Sequence, residues 1–296
     1  MEQRYTYTVP AAYDGDTMQN FLRRECGLSW RMVVKLKRVP DGMTADGESL
    51  RAIDRLRAGQ TVVIRMPEDA VRIPGADLPL EVIYEDDDLL VVNKPPYLAV
   101  HPSAGKPDPT LANAVVGYWE RRGEIRSFRP VNRLDRNTSG LLLAAKSPHI
   151  AYALTRKPEK VYWAIVIGAL TGEGVIDQPI RVREGSIITR EIGEGGKESR
   201  THWRALATDG ELSLVRLTLE TGRTHQIRVH MAWLGYPLAG DTVYGTDTAY
   251  LPRHALHCGQ MSLIHPVTGE PLTLQAPLPA DMADLAAAHG LPTGIR

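Results

Sequence analysis

The chain has 296 residues, 43% of them hydrophobic, which is enough for packed cores in one large domain and one small one. Its formal net charge is zero, so overall charge gives no indication of a nucleic-acid partner. The N-terminus lacks a basic region followed by an apolar stretch, and no apolar run is long enough for a bilayer, so we expect a cytoplasmic protein without a membrane partner.

Residues 1–66 are predicted to form a small α/β domain. Side chains suited to helix capping predict two short helices, one starting at Asp16 or Thr17 and the other at Ser29. The β-branched run 61–66 is typical of a closing strand. Local charge could still contact phosphate, although a solvated charged face explains most such basic clusters: Arg23, Arg24, Arg31, Lys35, Lys37 and Arg38.

Residues 67–79 have the composition of a linker, because proline stiffens the chain and interrupts regular pairing. Residues 80–296 are predicted to form a larger α+β domain with a mixed, mainly antiparallel sheet. Thr110 is expected to cap a helix that runs to Arg121. Predicted strands greatly outnumber helices in this part of the chain: 80–84, 89–93, 140–145, 161–167, 203–207, 212–219 and 226–229.

A polar, charged loop at 130–139 runs directly into an apolar strand. Its carboxylate, Asp135, lies between Arg133 and Arg136, which would keep it ionised and nucleophilic. The small residues that follow permit a tight turn. An aspartate that caps a turn or pairs with arginine would have the same local sequence, so the loop alone leaves both interpretations open.

The run Asn132-Arg-Leu-Asp-Arg-Asn-Thr-Ser-Gly140 is similar to the H-R-L-D-x-x-T-S-G signature of the RluA-type family of RNA pseudouridine synthases. Further blocks follow the family's order across about residues 80 to 280. They are 85–96 with His101-Pro-Ser103, 160–164, 221–230 with Gly240-Asp241 and Tyr244, and Leu256-His257 with His265-Pro266. The resemblance implies a pseudouridine synthase fold and isomerisation of uridine in structured RNA, most of all 23S ribosomal RNA.

By this resemblance, Asp135 is the catalytic aspartate, Tyr162 packs under the target base, and Arg223 pairs with the aspartate. A nearby cation would favour the aspartate anion. Without the resemblance, Tyr162 reads as a core aromatic residue. The same resemblance assigns substrate contacts to residues of the two longest blocks: Arg133, Leu134, Arg136, Thr138, His225, Gln226 and Ile227.

The resemblance implies no cofactor, no metal and no obligate protein partner, because isomerisation needs neither a redox step nor an energy donor. His225, Gln226 and His230 could also be read as metal ligands, but no cysteine or carboxylate with ligand spacing accompanies them. Cys26 and Cys258 are far apart and are predicted to be free thiols.

Two departures from the family pattern stand out. Asn132 replaces the family's histidine, and it can hydrogen-bond but cannot titrate near neutral pH. The N-terminal domain resembles an alpha-L RNA-binding fold, but 39–47 stands where that fold has a short glycine-valine-asparagine-glycine hairpin.

Three other functions stay open at this stage. One is a transfer-RNA-directed pseudouridine synthase, and another is a catalytically silent RNA-binding or ribosome-assembly factor. The third is a base-releasing hydrolase, which would typically need a second carboxylate, with Asp241 as the candidate.

Overall fold

A computed structural model describes residues 4–66, 73–102, 109–154, 158–245 and 249–294. The first six residues of the predicted linker (67–72) lie outside these residues, as does Ser103, which belongs with the matched block 85–96. Within the described residues, no helix is long and apolar enough to cross a bilayer. Cys26 and Cys258 are free thiols, as predicted, and both are buried.

The N-terminal segment builds a four-stranded sheet with two helices, and their buried side chains form a cluster of their own. Thr17 and Ser29 cap the helices by accepting hydrogen bonds from the backbone N–H groups of Asn20 and Met32, which confirms both predicted caps. The elements are β1 (Arg4–Thr8), α1 (Met18–Arg24), α2 (Trp30–Leu36), β2 (Met43–Ala45), β3 (Glu48–Ser49) and β4 (Thr61–Arg65).

The described residues from 73 onward form one nine-stranded sheet with helices packed against it, and a separate two-stranded sheet made by β10 and β11. The elements before the polar loop and directly after it are β5 (Glu81–Glu85), β6 (Leu89–Lys94), α3 (Leu111–Arg121), β7 (Ser139–Ala145), α4 (Pro148–Ala153) and β8 (Glu159–Ile167). Those that follow are β9 (Glu173–Asp177), β10 (Ile180–Val182), β11 (Arg190–Ile192), β12 (Arg200–Thr208), β13 (Leu212–Leu219), α5 (Gln226–Trp233), β14 (Leu256–Ile264), β15 (Pro271–Gln275) and α6 (Ala280–Ala288).

The strand order in the large sheet is β5-β6-β7-β14-β8-β13-β12-β9, and β15 pairs with β14. Only β7 and β14 run parallel among the described pairs, so the sheet is mixed and mainly antiparallel, as predicted. The parallel pair places the start of β7 beside β14, and the other edge of β14 pairs with β8. Cys258 on β14 is the register partner of both Gly140 on β7 and Tyr162 on β8. This arrangement brings the polar loop before β7 close to Tyr162 on β8.

The predicted strand at 226–229 is wrong, because these residues open helix α5 (Gln226–Trp233). Four residues of mixed polar and β-branched type do not distinguish a short strand from the first turn of a helix. The helical period brings Ile227 and Met231 onto one face, where both are buried in the main hydrophobic cluster. Tertiary packing therefore decides this element.

The N-terminal sheet contacts the large sheet through tyrosines of β1. The Tyr5 hydroxyl donates to Asp88 at 3.1 Å and also lies 2.9 Å from the Ser147 hydroxyl. The Tyr7 hydroxyl is 2.6 Å from Nε2 of His149 at the start of α4. The first strand of the chain thus packs against the edge that carries the β5–β6 turn.

Candidate active site

A cleft of about 1100 Å³ opens where the polar loop faces the segment before α5. Every residue that the sequence predicted for the site lines this cleft. They are Arg133, Leu134, Asp135, Arg136, Thr138, Tyr162, Arg223, His225, Gln226 and Ile227. The fold thus joins three stretches of sequence that lie up to 94 residues apart.

The loop before β7 is shaped by its own backbone and by Asn132. The Thr138 N–H donates to the Asp135 carbonyl at 3.1 Å, which closes a tight turn. The Asn132 amide accepts from the Leu143 N–H at 2.9 Å and donates to the Leu141 carbonyl at 3.2 Å. This position therefore uses one donor and one acceptor and needs no charge, which explains why asparagine can replace the family's histidine.

A glycine is required where this loop enters the sheet. Gly140 has a φ of +111°, and a Cβ there would collide with the backbone of Cys258 on β14. Only glycine allows this close approach of β7 to β14.

Two fully buried basic side chains, Lys94 and Arg253, donate hydrogen bonds to the backbone of this loop. Neither was predicted from the sequence. The Lys94 ammonium donates to the carbonyls of Pro95, Leu98 and Arg136 at 2.8 to 3.0 Å. Burial, with the nearby charge of Arg253, lowers the Lys94 pKa to about 7. Lys94 belongs to the matched block 85–96, and this match is the feature of the sequence that could have indicated its role.

The second cation is Arg253, which is 1% exposed and forms a bidentate ion pair with Asp281 at 2.6 and 2.8 Å. Its remaining nitrogen, Nη1, donates to the carbonyl of Asn137 at 3.1 Å. Arg253 thereby connects helix α6, which carries Asp281, to the loop that carries Asp135. No local pattern in the sequence indicates this contact, because the three residues are far apart along the chain.

Asp135 lies within the cleft with its side chain 19% exposed. Its Oδ2 is 3.6 Å from Nη1 of Arg228 and 3.8 Å from Nε2 of His225. Among the described residues, Arg228 is the only arginine within ion-pair distance of this carboxylate. The predicted pairing of Asp135 with Arg223 is therefore wrong, since Arg223 is exposed and its Nε donates to the Glu198 carbonyl at 3.0 Å.

Arg228 is itself fixed by a buried carboxylate. Its Nε and Nη2 donate to the two oxygens of Asp241 at 2.7 and 2.8 Å, which leaves Nη1 facing Asp135. Burial lowers the pKa of Arg228, but the hydrogen bonds and charge of Asp241 outweigh that effect and raise it overall. Asp241 is 1% exposed, so it serves this arginine and lies away from the cleft.

Tyr162 is 5% exposed and packs in the main hydrophobic cluster with Leu134, Ile227 and Leu256. These four side chains all line the cleft, so they give it an apolar floor beside Asp135. Burial, followed by the influence of Cys258 and Asp135, raises the pKa of Tyr162 well above its ordinary value. The phenol is therefore neutral and can stack against a flat ring.

Comparison with known proteins shows the family. A profile of the family described as RNA pseudouridylate synthase matches residues 88–233. The chain is 37% identical to an uncharacterized RNA pseudouridine synthase, YjbO, of Bacillus subtilis over 270 residues, which cover 88% of this chain and 95% of that protein. The chain belongs to the RluA-type family of RNA pseudouridine synthases.

Other members with curated names include ribosomal large subunit pseudouridine synthase D of Vibrio cholerae. It is 39% identical over 255 residues, which cover 79% of this chain and 78% of that one. Among solved structures, human RNA pseudouridylate synthase domain containing 1 matches with a TM-score of 0.56 and 29% identity, over 69% of this chain and 85% of that chain. The chain is therefore an RNA pseudouridine synthase, which is an isomerase.

Two residues predicted to contact substrate in this pseudouridine synthase are used within the protein instead. Gln226 is 2% exposed, and its amide makes four hydrogen bonds, to Thr221, the Arg223 N–H, the Arg200 carbonyl and Thr201. That number exhausts its donors and leaves no lone pair free. The Thr138 hydroxyl is also buried, 2.9 Å from Nε2 of His254. Both side chains are held by hydrogen bonds within the protein.

Arg133 and Arg136 differ from these two residues because both are exposed at the rim of the cleft. Arg133 makes no hydrogen bond or ion pair with any other residue in the described part of the chain, while Nε of Arg136 donates to the Tyr97 carbonyl at 3.0 Å. Their position suits contact with an anionic ligand outside the cleft.

The alternative of a metal site at His225 and His230 lacks geometric support. Both ring nitrogens of His230 are hydrogen-bonded, to Thr201 at 2.8 Å and to the Gln178 carbonyl at 3.1 Å. A separate group of Asp86, Asp88 and His265 also brings ligand atoms together. There, however, Nδ1 of His265 accepts two backbone N–H groups, so Nε2 carries the proton that it donates to Asp86 and cannot bind a cation.

Proposed function

We propose that this pseudouridine synthase converts specific uridines of 23S ribosomal RNA to pseudouridine, with Asp135 as the nucleophile. The observation that carries the proposal is the position of Asp135, in a cleft between a buried arginine and an apolar floor. The choice of RNA rests on relatives named ribosomal large subunit pseudouridine synthase D. The cytoplasm, where ribosomal RNA is available to the enzyme, is the expected compartment.

The reaction exchanges one bond of the ribose carbon C1′ for another. The Asp135 carboxylate attacks C1′ and forms a bond to it while the C1′–N1 bond breaks and its electron pair leaves with the uracil. The detached uracil then turns so that its C5 bonds to C1′, which returns the carboxylate. C5 loses its proton and N1 gains one, so atoms and electrons balance without a redox partner.

The neighbours of Asp135 suit these steps. The guanidinium of Arg228 lies 3.6 Å from the carboxylate, where its positive charge attracts the negative charge of Asp135. Tyr162, Leu134 and Ile227 offer a flat apolar surface to the uracil ring while it is detached. The Tyr162 hydroxyl is neutral, so it can take the proton from C5 only while passing its own proton on.

Access to the cleft requires an extruded nucleotide, because the glycosidic bond of a stacked base is out of reach. The exposed Arg133 and Arg136 at the rim would contact the phosphates on either side of that nucleotide. Basic side chains of α1 and α2 would hold more distant phosphates of the same RNA: Arg23, Arg24, Arg31 and Lys35.

The test is release of tritium from C5 of labelled uridine in transcripts of large-subunit ribosomal RNA and of transfer RNA. Asp135→Asn keeps the shape of the side chain and should lower the rate by at least about 10³-fold, as expected when a nucleophile is lost. Glu159→Gln is the matched control, because Glu159 also lines the cleft and is exposed. It should stay near the wild-type rate.

Each outcome distinguishes one hypothesis. Release from ribosomal RNA alone, with pseudouridine recovered in the product, supports the proposal. Release from transfer RNA alone moves the substrate to transfer RNA. Free uracil in place of pseudouridine would indicate a base-releasing hydrolase. Binding of RNA without release would indicate an assembly factor, and an active Asp135→Asn would exclude Asp135 as nucleophile.

A further inference from the structure

Tyr244 contacts both groups that face Asp135. Its hydroxyl is 2.7 Å from Nδ1 of His225, and its ring lies 5.0 Å below the guanidinium carbon of Arg228. We propose that Tyr244 is a positioning residue, which holds the His225 imidazole through its hydroxyl and the Arg228 guanidinium through its ring. The inference rests on the proposed role of Asp135.

The hydrogen bonds of the Tyr244 hydroxyl favour one tautomer of the imidazole. The backbone N–H of Arg190 donates to the Tyr244 oxygen at 2.9 Å, so the hydroxyl hydrogen points to another acceptor. Among the described residues, the other hydrogen-bond partner of this hydroxyl is Nδ1 of His225 at 2.7 Å, so we take the hydroxyl as the donor and Nδ1 as the acceptor. A neutral imidazole that accepts at Nδ1 carries its proton on Nε2, and Nε2 is the atom 3.8 Å from Asp135. An N–H group therefore faces the carboxylate.

The backbone of His225 shows that this ring is held in place. His225 has a φ of +58°, in the left-handed region that residues other than glycine seldom adopt, and it precedes the first turn of α5. Such a conformation persists where surrounding contacts impose it, and it is concentrated at functional sites. The edge-on contact with the Tyr244 ring, at 5.6 Å between centroids, is one such contact.

The second contact explains the orientation of the guanidinium. Arg228 gives Nε and Nη2 to Asp241, and the Tyr244 backbone N–H donates to the same carboxylate at 3.2 Å. The ring of Tyr244 then covers one face of the guanidinium, a favourable position for a cation over an aromatic ring. The third nitrogen of the guanidinium, Nη1, is left facing Asp135, 3.6 Å from its Oδ2.

The Arg190 contact extends this arrangement to the protein surface. Arg190 opens β11 of the hairpin formed by β10 and β11, whose turn carries the exposed Ile187 and Ile188. The chain of contacts from the Arg190 N–H through Tyr244 to His225 therefore joins this hairpin to the group that faces Asp135.

Tyr244→Phe tests the proposal, because it removes the hydroxyl and keeps the ring. With a labelled large-subunit ribosomal RNA transcript, we expect kcat to fall about 10- to 100-fold, as for a misplaced catalytic group, and KM to stay within about twofold. Tyr118→Phe is the matched control. Tyr118 also has an arginine over its ring, Arg122 at 5.3 Å, and its hydroxyl donates to Glu85, but it lies on α3 outside the cleft.

The pH profile of kcat separates positioning from general loosening of the structure. Burial lowers the pKa of His225, and the charged or titratable groups around it are Asp135, Arg228, Asp241, Arg190, Tyr244 and His254. A donor to Nδ1 stabilises the neutral ring, so removal of the Tyr244 hydroxyl should raise the His225 pKa. The acidic limb of the kcat profile should then move to higher pH by about 0.5–1 unit, which corresponds to the free energy of one hydrogen bond. Loss of folded protein alone would not move that limb.

A ¹⁵N spectrum of the histidine side chains gives an answer that does not depend on turnover. The wild-type protein should show His225 protonated at Nε2, and Tyr244→Phe should show a mixture of tautomers. If wild-type protein releases no tritium, the proposed function fails. The spectrum still tests whether Tyr244 positions the His225 ring, because it does not depend on turnover. Wild-type protonation at Nδ1, an unchanged kcat in Tyr244→Phe, or an equal loss in Tyr118→Phe would overturn the inference.

Discussion

The two walls of the cleft are held in opposite ways. The loop wall (residues 130–138) is held mainly through its backbone, since Lys94 and Arg253 donate to the carbonyls of Arg136 and Asn137. The helix wall (residues 221–230) is held mainly through its side chains, by the amide of Gln226 and by Arg228.

This difference decides which side chains remain available to a ligand. On the loop wall, backbone anchoring leaves Arg133, Asp135 and Arg136 facing the cleft or its rim. On the helix wall, Gln226 and most of the Arg228 guanidinium are committed to protein partners. Polar residues in a matched motif are therefore not equally suited to contact the substrate.

The largest effect is expected at Arg228. Arg228→Met leaves Asp241 buried without its partner, so the free energy of unfolding should fall by about 3–5 kcal/mol. Turnover should fall more than about 100-fold, because Asp135 loses its nearby cation. Arg228→Lys keeps the charge but not the bidentate geometry, so it provides a folded variant in which turnover still falls.

Arg223→Met is the control on the same wall. Its guanidinium contacts the Glu198 carbonyl at the surface, so kcat should stay within about threefold of wild type, less than 1 kcal/mol in barrier height. Tritium release and denaturant unfolding measure both quantities. A larger loss of kcat in Arg223→Met than in Arg228→Lys would return the pairing role to Arg223.

A smaller effect is expected when the backbone anchor of the loop wall is weakened. Asp281→Asn removes the negative charge that holds Arg253, so the Asn137 carbonyl should shift and kcat should fall about tenfold. Asp209→Asn is the control, since Asp209 binds His289 at the other end of α6. Equal kcat values in the two variants would show that α6 acts only on stability.

The smallest effect is expected at Asn132. Asn132→Asp cannot donate to the Leu141 carbonyl, so it should cost about 1 kcal/mol and lower Tm by about 2–4 °C. Asn132→His, which follows the family pattern, should keep kcat within about threefold. Calorimetry and tritium release check the pair. A rate increase of more than about tenfold in Asn132→His would show that a titratable group matters there.

Sequence patterns predicted the architecture best where the signal is local. Thr17 and Ser29 cap their helices, and the run at 212–219 is the strand β13. The strand predicted at 226–229 was wrong, because four residues fit either a strand or a helix and the packing of Ile227 selected the helix. The mixed, mainly antiparallel sheet followed from the excess of predicted strands, but the strand order did not.

For the site, the sequence by itself determined the family and ten of the residues that line the cleft, because a catalytic motif preserves residue types at short, fixed spacing. Only the tertiary structure decided which of them face a ligand. It assigned Arg228, not Arg223, to Asp135, and it revealed Arg253 and Asp281, whose contacts join residues more than a hundred positions from the loop. Hydrogen bonds and ion pairs depend on distance in space, which residue spacing along the chain does not specify.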